Sequence, residues 1–265
     1  MILKLEVLFQ KLFSWFGYVI HNTDRTCKTE TELKYKGEQM INFSSPQELQ
    51  IINDNLKFTL TRPARMAATM RALKYVSTNK IQGAFVECGV WKGGQIIVGV
   101  EQLRLLNDHR EIFLYDTFTG MTEASEIDKS FLNESAISMM ESSQPTSNSI
   151  WAKVTIEEVE KNLSNLDYPK NLIRYIVGDV RETLLSPKNL PKKISVLRLD
   201  TDWFDSTYIE LVKLYPLLSP GGVLLIDDYG HWEGSRRAAD KFFQEIGIDP
   251  FWNAIDYTCV MHLKL

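Results

Sequence analysis

From residue 83 onward, short apolar runs alternate with longer amphipathic segments. Five runs stand out: Ala84 to Cys88, Ile112 to Asp116, Ile173 to Val177, Ile194 to Asp200, and Val223 to Asp228. A strand with one face in water alternates apolar and polar residues. These runs are nearly continuous in apolar character, as expected where helices cover both faces of a parallel sheet. The pattern predicts an α/β fold with a doubly wound, mostly parallel sheet. Asp116, Asp179, Asp200 and Asp227 each close such a run or follow it within two residues. Ligands of these sheets bind at the carboxyl ends of the strands, so the four acids are expected on one rim.

Helices fit between the strands. Thr155-Ile156-Glu157-Glu158 reads as a capping box opening a helix to about Leu166, and Ser206 or Thr207 can cap another running to about Leu218. Pro220-Gly221-Gly222 then turns the chain into the fifth strand. A last helix, about Ser235 to Ile246, precedes a terminal strand around Asp256 to Leu263. Residues 1–82 carry no strand–turn–helix signal and read as a helical N-terminal extension to a domain spanning 83–265. The Ser-, Thr- and Glu-rich stretch at about 119–150 follows an acidic strand end directly. A connection of that length in a compact fold is expected to be a lid over the crevice or a solvated insertion.

Composition narrows the class. The 265 residues are 44% hydrophobic and 24% charged, the balance of an ordinary globular chain. A net charge of −4 offers no global positive field, which argues against nucleic acid as a partner. Cys27, Cys88 and Cys259 are odd in number and scattered, so neither a disulfide framework nor a zinc site is expected and a cytoplasmic location fits. Near the start, Leu5, Leu8, Leu12, Phe13, Trp15, Phe16 and Val19 fall on one helical face. Lys4, Glu6, Gln10 and Lys11 break the run short of the ~20 apolar residues of a transmembrane segment, and no small-residue cleavage site follows. Burial against the chain's own domain or a second subunit is expected for that face.

The chemistry-bearing residues cluster in two places. Glu87-Cys88-Gly89-Val90-Trp91-Lys92-Gly93-Gly94 lies where the first strand meets a helix; glycines at 89 and 93 admit close backbone approach, and the helix N-terminus offers N–H groups to an anion. Trp91 stands where the second glycine of a dinucleotide fingerprint belongs, which disfavours a pyrophosphate cofactor and suits S-adenosylmethionine. Asp116 can accept ribose hydroxyls and Asp179 can reach an adenine amino group, or each can cap a helix. The second cluster combines Asp200-Thr201-Asp202-Trp203 with Asp227-Asp228-Tyr229-Gly230-His231. Adjacent strand ends lie about 5 Å apart. Asp200, Asp227 and Asp228 can therefore share one site, where a hard cation such as Mg²⁺ or Mn²⁺ would relieve their repulsion.

The stretches PARMAATMRALKYV, GAFVECGVWKGG, LYDTFTGM, EEVEKNLSNLDYPKNLIRYIVGDVRETL, LRLDTDWFDST and PGGVLLIDDYGHWEGSRRAADKFF run in order over residues 62–243. In them the chain resembles the S-adenosylmethionine- and metal-dependent sugar O-methyltransferases of the macrocin and mycinamicin type. The resemblance implies the Rossmann-like fold of class I methyltransferases, a mobile lid and a homo-oligomer. It implies metal binding by Asp200, Asp227 and Asp228, with Asp202 as general base. Cofactor contacts are implied at Met66, Glu87, Gly89, Val90, Trp91, Gly93, Asp116, Thr117, Gly178, Asp179 and Thr201. Phe204 and Asp205 depart from the Tyr and Glu common in the family.

The expected activity is methyl transfer from S-adenosylmethionine to a hydroxyl of a small-molecule or glycan acceptor. An alcohol ionises near pKa ~15, so a cation and a base are both called for. Asp202 is placed to take the proton; His231 is a second base candidate or an acceptor-orienting residue. Trp203 and Trp232 could wall the acceptor pocket or simply pack. A nucleotide-dependent oxidoreductase is the rival enzyme class, disfavoured by Trp91. A non-catalytic module of a glycan-assembly complex is the other rival, disfavoured by the complete set of acids.

Overall fold

The computed structural model describes residues 44–265. The amphipathic face between Leu5 and Val19, and Cys27, lie outside the described residues. Two helices come first, α1 (Pro46–Asn55) and α2 (Pro63–Thr78), followed by β1 (Ala84–Cys88), α3 (Gly94–Leu105) and β2 (Ile112–Asp116). Next are α4 (Ala136–Ser142), α5 (Ile156–Leu163), β3 (Ile173–Val177), a single turn α6 (Val180–Thr183) and β4 (Ile194–Leu199). The chain closes with α7 (Phe204–Leu214), β5 (Leu218–Ile226), α8 (Glu233–Glu245), β6 (Asn253–Ala254) and β7 (Val260–Leu263).

The seven strands form one sheet in the order β3-β2-β1-β4-β5-β7-β6. Strands β1 to β5 pair in parallel, and β7 runs antiparallel to both β5 and β6. Burial on both faces explains the apolar runs. Phe85, Ile112, Leu114, Val196, Val223 and Leu225 pack under α2, α3 and α5. Their neighbours Val86, Phe113, Tyr115, Leu197, Leu224 and Ile226 pack under α7 and α8. At ~25 cal/mol per Å² of apolar area, these two layers drive the assembly. Helices α1 and α2, from the expected N-terminal extension, close over α3 and bury Ile52, Met66, Ala67 and Met70 with Val98. Among the described residues no helix is long and apolar enough to cross a membrane.

The strand order reverses between β1 and β4, and there the crevice opens. The first four strands occupy the residues expected, apart from Asp200, which follows β4. The fifth begins at Leu218, so Pro220-Gly221-Gly222 lies within it instead of before it. Helix α5 stops at Leu163 because Ser164 already caps it. The terminal element is split into β6 and β7 by a turn in which the Asp256 carboxylate accepts from the N–H groups of Thr258 and Cys259. Helix α7 starts at Phe204, earlier than a Ser206 or Thr207 cap would place it. Its first N–H is taken by Asp128 Oδ1 at 2.9 Å, from a distant part of the chain.

Candidate active site

Backbone contacts join the strand ends into one rim. Gly89 N–H donates to Tyr115 O at 2.9 Å, Asp200 N–H to Cys88 O at 2.8 Å and Asp227 N–H to Leu199 O at 2.9 Å. Gly89 and Gly93 have φ of 80° and 87°. Gly89 has no alternative, because a Cβ there would meet the Asp200 carbonyl oxygen at 1.9 Å. Trp91 holds a left-handed φ of 47° between them, and its indole N–H donates to Ser147 O at 3.1 Å.

Asp116 is tied to this turn. Oδ2 accepts from the N–H groups of Val90 (2.7 Å) and Trp91 (3.2 Å), and Oδ1 from Phe118 N–H (2.7 Å). Burial raises its proton affinity, and those three backbone donors oppose the effect. A carboxylate offers about four acceptor positions, so Asp116 retains room for one further hydroxyl, not for two. The Thr117 hydroxyl donates to Gly120 O at 2.6 Å.

Asp179 takes the helix-capping alternative. It caps α6 through Arg181 N–H at 2.8 Å and holds the Arg181 guanidinium at 2.6 Å. Gly178 precedes it at φ 130°. Met66, expected among the cofactor contacts, is fully buried in the cluster between α1, α2 and α3 and presents no surface to a ligand.

A buried charge network underlies the rim, and sequence reasoning missed its cations. Arg198 of β4 is 1% exposed and donates to Glu87 Oε1 (2.7 Å), to Asp200 Oδ2 (2.8 Å) and to Asp227 Oδ1. Arg65 of α2 holds the other oxygen of Asp227 and donates to Asp256 Oδ2 at 2.8 Å. A lone arginine in an otherwise apolar strand was the available signal, since a buried guanidinium requires carboxylate partners. Two guanidiniums thus face Glu87, Asp200, Asp202, Asp227, Asp228 and Asp256, which leaves negative charge in excess.

That excess gathers at Asp200, Asp202 and Asp228, whose carboxylate oxygens approach within 4.8 Å of one another. The grouping differs from the expected one: Asp202 takes the third place and Asp227 stands apart, both of its oxygens occupied by guanidiniums. Burial, and then the neighbouring carboxylates, push Asp228 well up, while Asp202 is raised to about 7 by burial with the Asp228 contact opposing. Asp227 is raised to about 6 by burial against the pull of Arg65. Asp228 Oδ2 is buried without a hydrogen-bond partner, and Asp202 has a left-handed φ of 65°. Close carboxylates, an orphaned oxygen and a strained backbone fit an oxygen-ligated divalent cation. Asp227 differs from Asp200, Asp202 and Asp228 in having a guanidinium on each of its oxygens.

Glu87 Oε2 is also buried without a hydrogen-bond partner, and burial lifts that carboxyl to about 8. With the glycine turn beside it, this orphaned acceptor suits the ammonium of an amino-acid-bearing cofactor.

The 119–150 segment is anchored to the rim. Asp128, 1% exposed, accepts from Ser125 and Phe204. Ser130 forms a β-bridge with Trp232, and Phe131 N–H donates to His231 O at 2.8 Å. Trp203 and Trp232, 5.0 Å apart edge to face, are 2% and 5% exposed beneath Ala136 and Met140 of α4. They form a core under the segment and do not line an open pocket. His231 packs edge-on to Trp232 at 4.8 Å and faces Phe131 at 5.5 Å.

Residues 22–264 match the profile of the macrocin-O-methyltransferase (TylF) family. Demethyldecarbamoylnovobiocin O-methyltransferase of Streptomyces niveus is 30% identical over 69% of this chain and 67% of its own. A tetracenomycin-C rhamnosyl 4'-O-methyltransferase of Streptomyces olivaceus is 30% identical over 76% of this chain and 74% of its own. The solved structure of the O-methyltransferase NovP superposes with a TM-score of 0.67 at 27% identity, covering 78% of this chain and 82% of that one.

Proposed function

Since the chain belongs to the macrocin-O-methyltransferase (TylF) family, we propose that it transfers the methyl group of S-adenosylmethionine to a hydroxyl of a sugar or glycosylated small molecule, assisted by Mg²⁺ or Mn²⁺. The observation that carries this reading is the close approach of Asp200, Asp202 and Asp228 directly beside the Gly89 turn. Cofactor and acceptor would then meet at the switch between β1 and β4.

The turn at 87–94 would hold the cofactor's amino-acid end through Glu87 Oε2 and backbone N–H groups, with one ribose hydroxyl on Asp116. Gly178 and Thr201 lie on the same rim. Asp200 and Asp228, common to the expected and observed groupings, would hold the cation. Asp227 carries one guanidinium on each oxygen and would hold Arg65 and Arg198 beside that site. When bound, the cation supplies Lewis acidity that lowers the acceptor hydroxyl from pKa ~15 towards neutrality. Asp202, beside Asp200 and Asp228, would take the acceptor proton. The freed oxygen pair forms the new C–O bond as the methyl–sulfur bond breaks, leaving S-adenosylhomocysteine. Holding oxygen and methyl carbon ~3 to 3.5 Å apart supplies much of the acceleration. His231, set against Phe131 and Trp232, is assigned to acceptor orientation.

Calorimetry tests the reading: S-adenosylmethionine should bind with or without Mg²⁺, and Mg²⁺ should bind the wild type and be lost in Asp228→Ala. Absence of cofactor binding would remove the methyltransferase reading, and retention of Mg²⁺ by Asp228→Ala would remove the cation site.

A further inference from the structure

Glu210 lies on α7, one helix away from the acidic cluster, and is fully buried. Its two carboxyl oxygens stand 3.0 and 3.1 Å from the Thr201 hydroxyl, and the buried Cys88 thiol also contacts it. Thr201 is the residue between Asp200 and Asp202. Its carbonyl accepts from Trp203 N–H at 2.7 Å and from the Ser206 hydroxyl at 3.2 Å. Both ends of Thr201 are therefore held by α7 or its N-cap, while the next residue, Asp202, carries φ 65°.

Burying an acid costs free energy that an aliphatic residue at the same place would not incur. Its buried neighbours on this helix, Leu211 and Leu214, are aliphatic. Asp200 and Asp202 repel each other and Asp228, so the loop needs an anchor that resists their separation.

We propose that Glu210 is a positioning residue: it grips Thr201 and so holds Asp200 and Asp202 together with Asp228. The inference rests on the reading of that cluster as a cation site. Burial raises the proton affinity of Glu210 strongly, and the Thr201 hydroxyl, donating to its carboxyl oxygens, opposes that effect. A glutamine can replace such a group; a leucine cannot.

Mn²⁺ binding to the full chain, read from the free Mn²⁺ signal in electron paramagnetic resonance, tests this. Glu210→Gln should bind within about twofold of wild type, whereas Glu210→Leu and Thr201→Val should each weaken Mn²⁺ by about tenfold, the loss of one buried hydrogen bond. The double variant should be no weaker than either single one. Unchanged Mn²⁺ affinity in Glu210→Leu, or additive losses in the double variant, would overturn the proposal. If wild type itself binds no Mn²⁺, the cation reading fails, and crystal structures decide the positioning role separately. A displaced Asp202 in Glu210→Leu supports the role, and an Asp202 left at positive φ overturns it.

Discussion

Gly89 and Asp200 meet backbone to backbone, so closely that a Cβ on Gly89 would lie 1.9 Å from the Asp200 carbonyl oxygen. The cofactor turn and the acidic loop are two sides of one contact. Gly89→Ala must both push Asp200 away and place alanine at φ 80°, a conformation that alone costs ~1 to 2 kcal/mol. The variant is expected to lose Mg²⁺ and S-adenosylmethionine affinity together, with a lowered thermal midpoint. Calorimetry showing loss of one ligand alone would separate the two sides.

The aspartates at 227 and 228 are neighbours with opposite expected effects on stability. Asp227 is the acid shared by Arg65 and Arg198, so Asp227→Ala removes one buried partner from each guanidinium, leaving Asp256 to the first and Glu87 and Asp200 to the second, and should cost ~1.5 to 3 kcal/mol. Asp228 faces other carboxylates, and its Oδ2 has no hydrogen-bond partner. Asp228→Asn should therefore raise the midpoint of the metal-free chain while abolishing turnover. Thermal melts in chelator check the sign; equal destabilisation by both substitutions would contradict this division of roles.

The same network sets a pH dependence. Asp227, Asp202 and Glu87 have folded-state pKa values of about 6, 7 and 8, each above its ordinary carboxylate value. The folded chain consequently binds more protons than the unfolded chain between about pH 4 and 8, and stability falls as pH rises through that window. Asp179 and Asp256 are lowered instead, despite burial, by Arg181 and Arg65 respectively; their contribution is present at neutral pH and lost at the acid end. In chelator, the midpoint should drop between pH 5 and 8. Mg²⁺ should flatten the slope, and Asp202→Asn should reduce it. A midpoint that rises over this range in chelator would refute the assignment.

What could be read in advance follows from how local each signal is. The first four strands were legible because burial on both faces writes itself as an apolar run, and the glycine turn because Gly89 and Gly93 need positive φ. The start of α7 was not, because its first N–H is capped by Asp128, 76 residues away in sequence. Adjacent strand ends make the nearness of Asp227 to Asp200 legible; the guanidinium that takes one of its oxygens comes from Arg65, 162 residues earlier, which no local pattern shows. Glu210 left a fainter trace. Thr207, Glu210, Leu211 and Leu214 recur at helical spacing on one buried face, so an acid in that row demanded a partner.

Trp91 connects the cofactor turn to the 119–150 segment and supplies the last prediction. Its indole N–H donates to Ser147 O, Lys92 Nζ lies 4.7 Å over its ring, and its own φ of 47° is uncommon for a bulky residue. Trp91→Phe keeps an aromatic ring but deletes the donor, removing about 1 kcal/mol of hold on the far end of the segment. The near end is secured separately by Asp128 and by the Trp203–Trp232 core, so the fold should survive with a midpoint close to wild type. Amide exchange should then accelerate over 143–152, while exchange at 128–136 stays unchanged. If the segment closes over the acceptor, the same variant raises acceptor KM several-fold. Unaltered exchange at 143–152 would mean that the Trp203–Trp232 core alone holds the segment, and that the Trp91 hydrogen bond couples nothing.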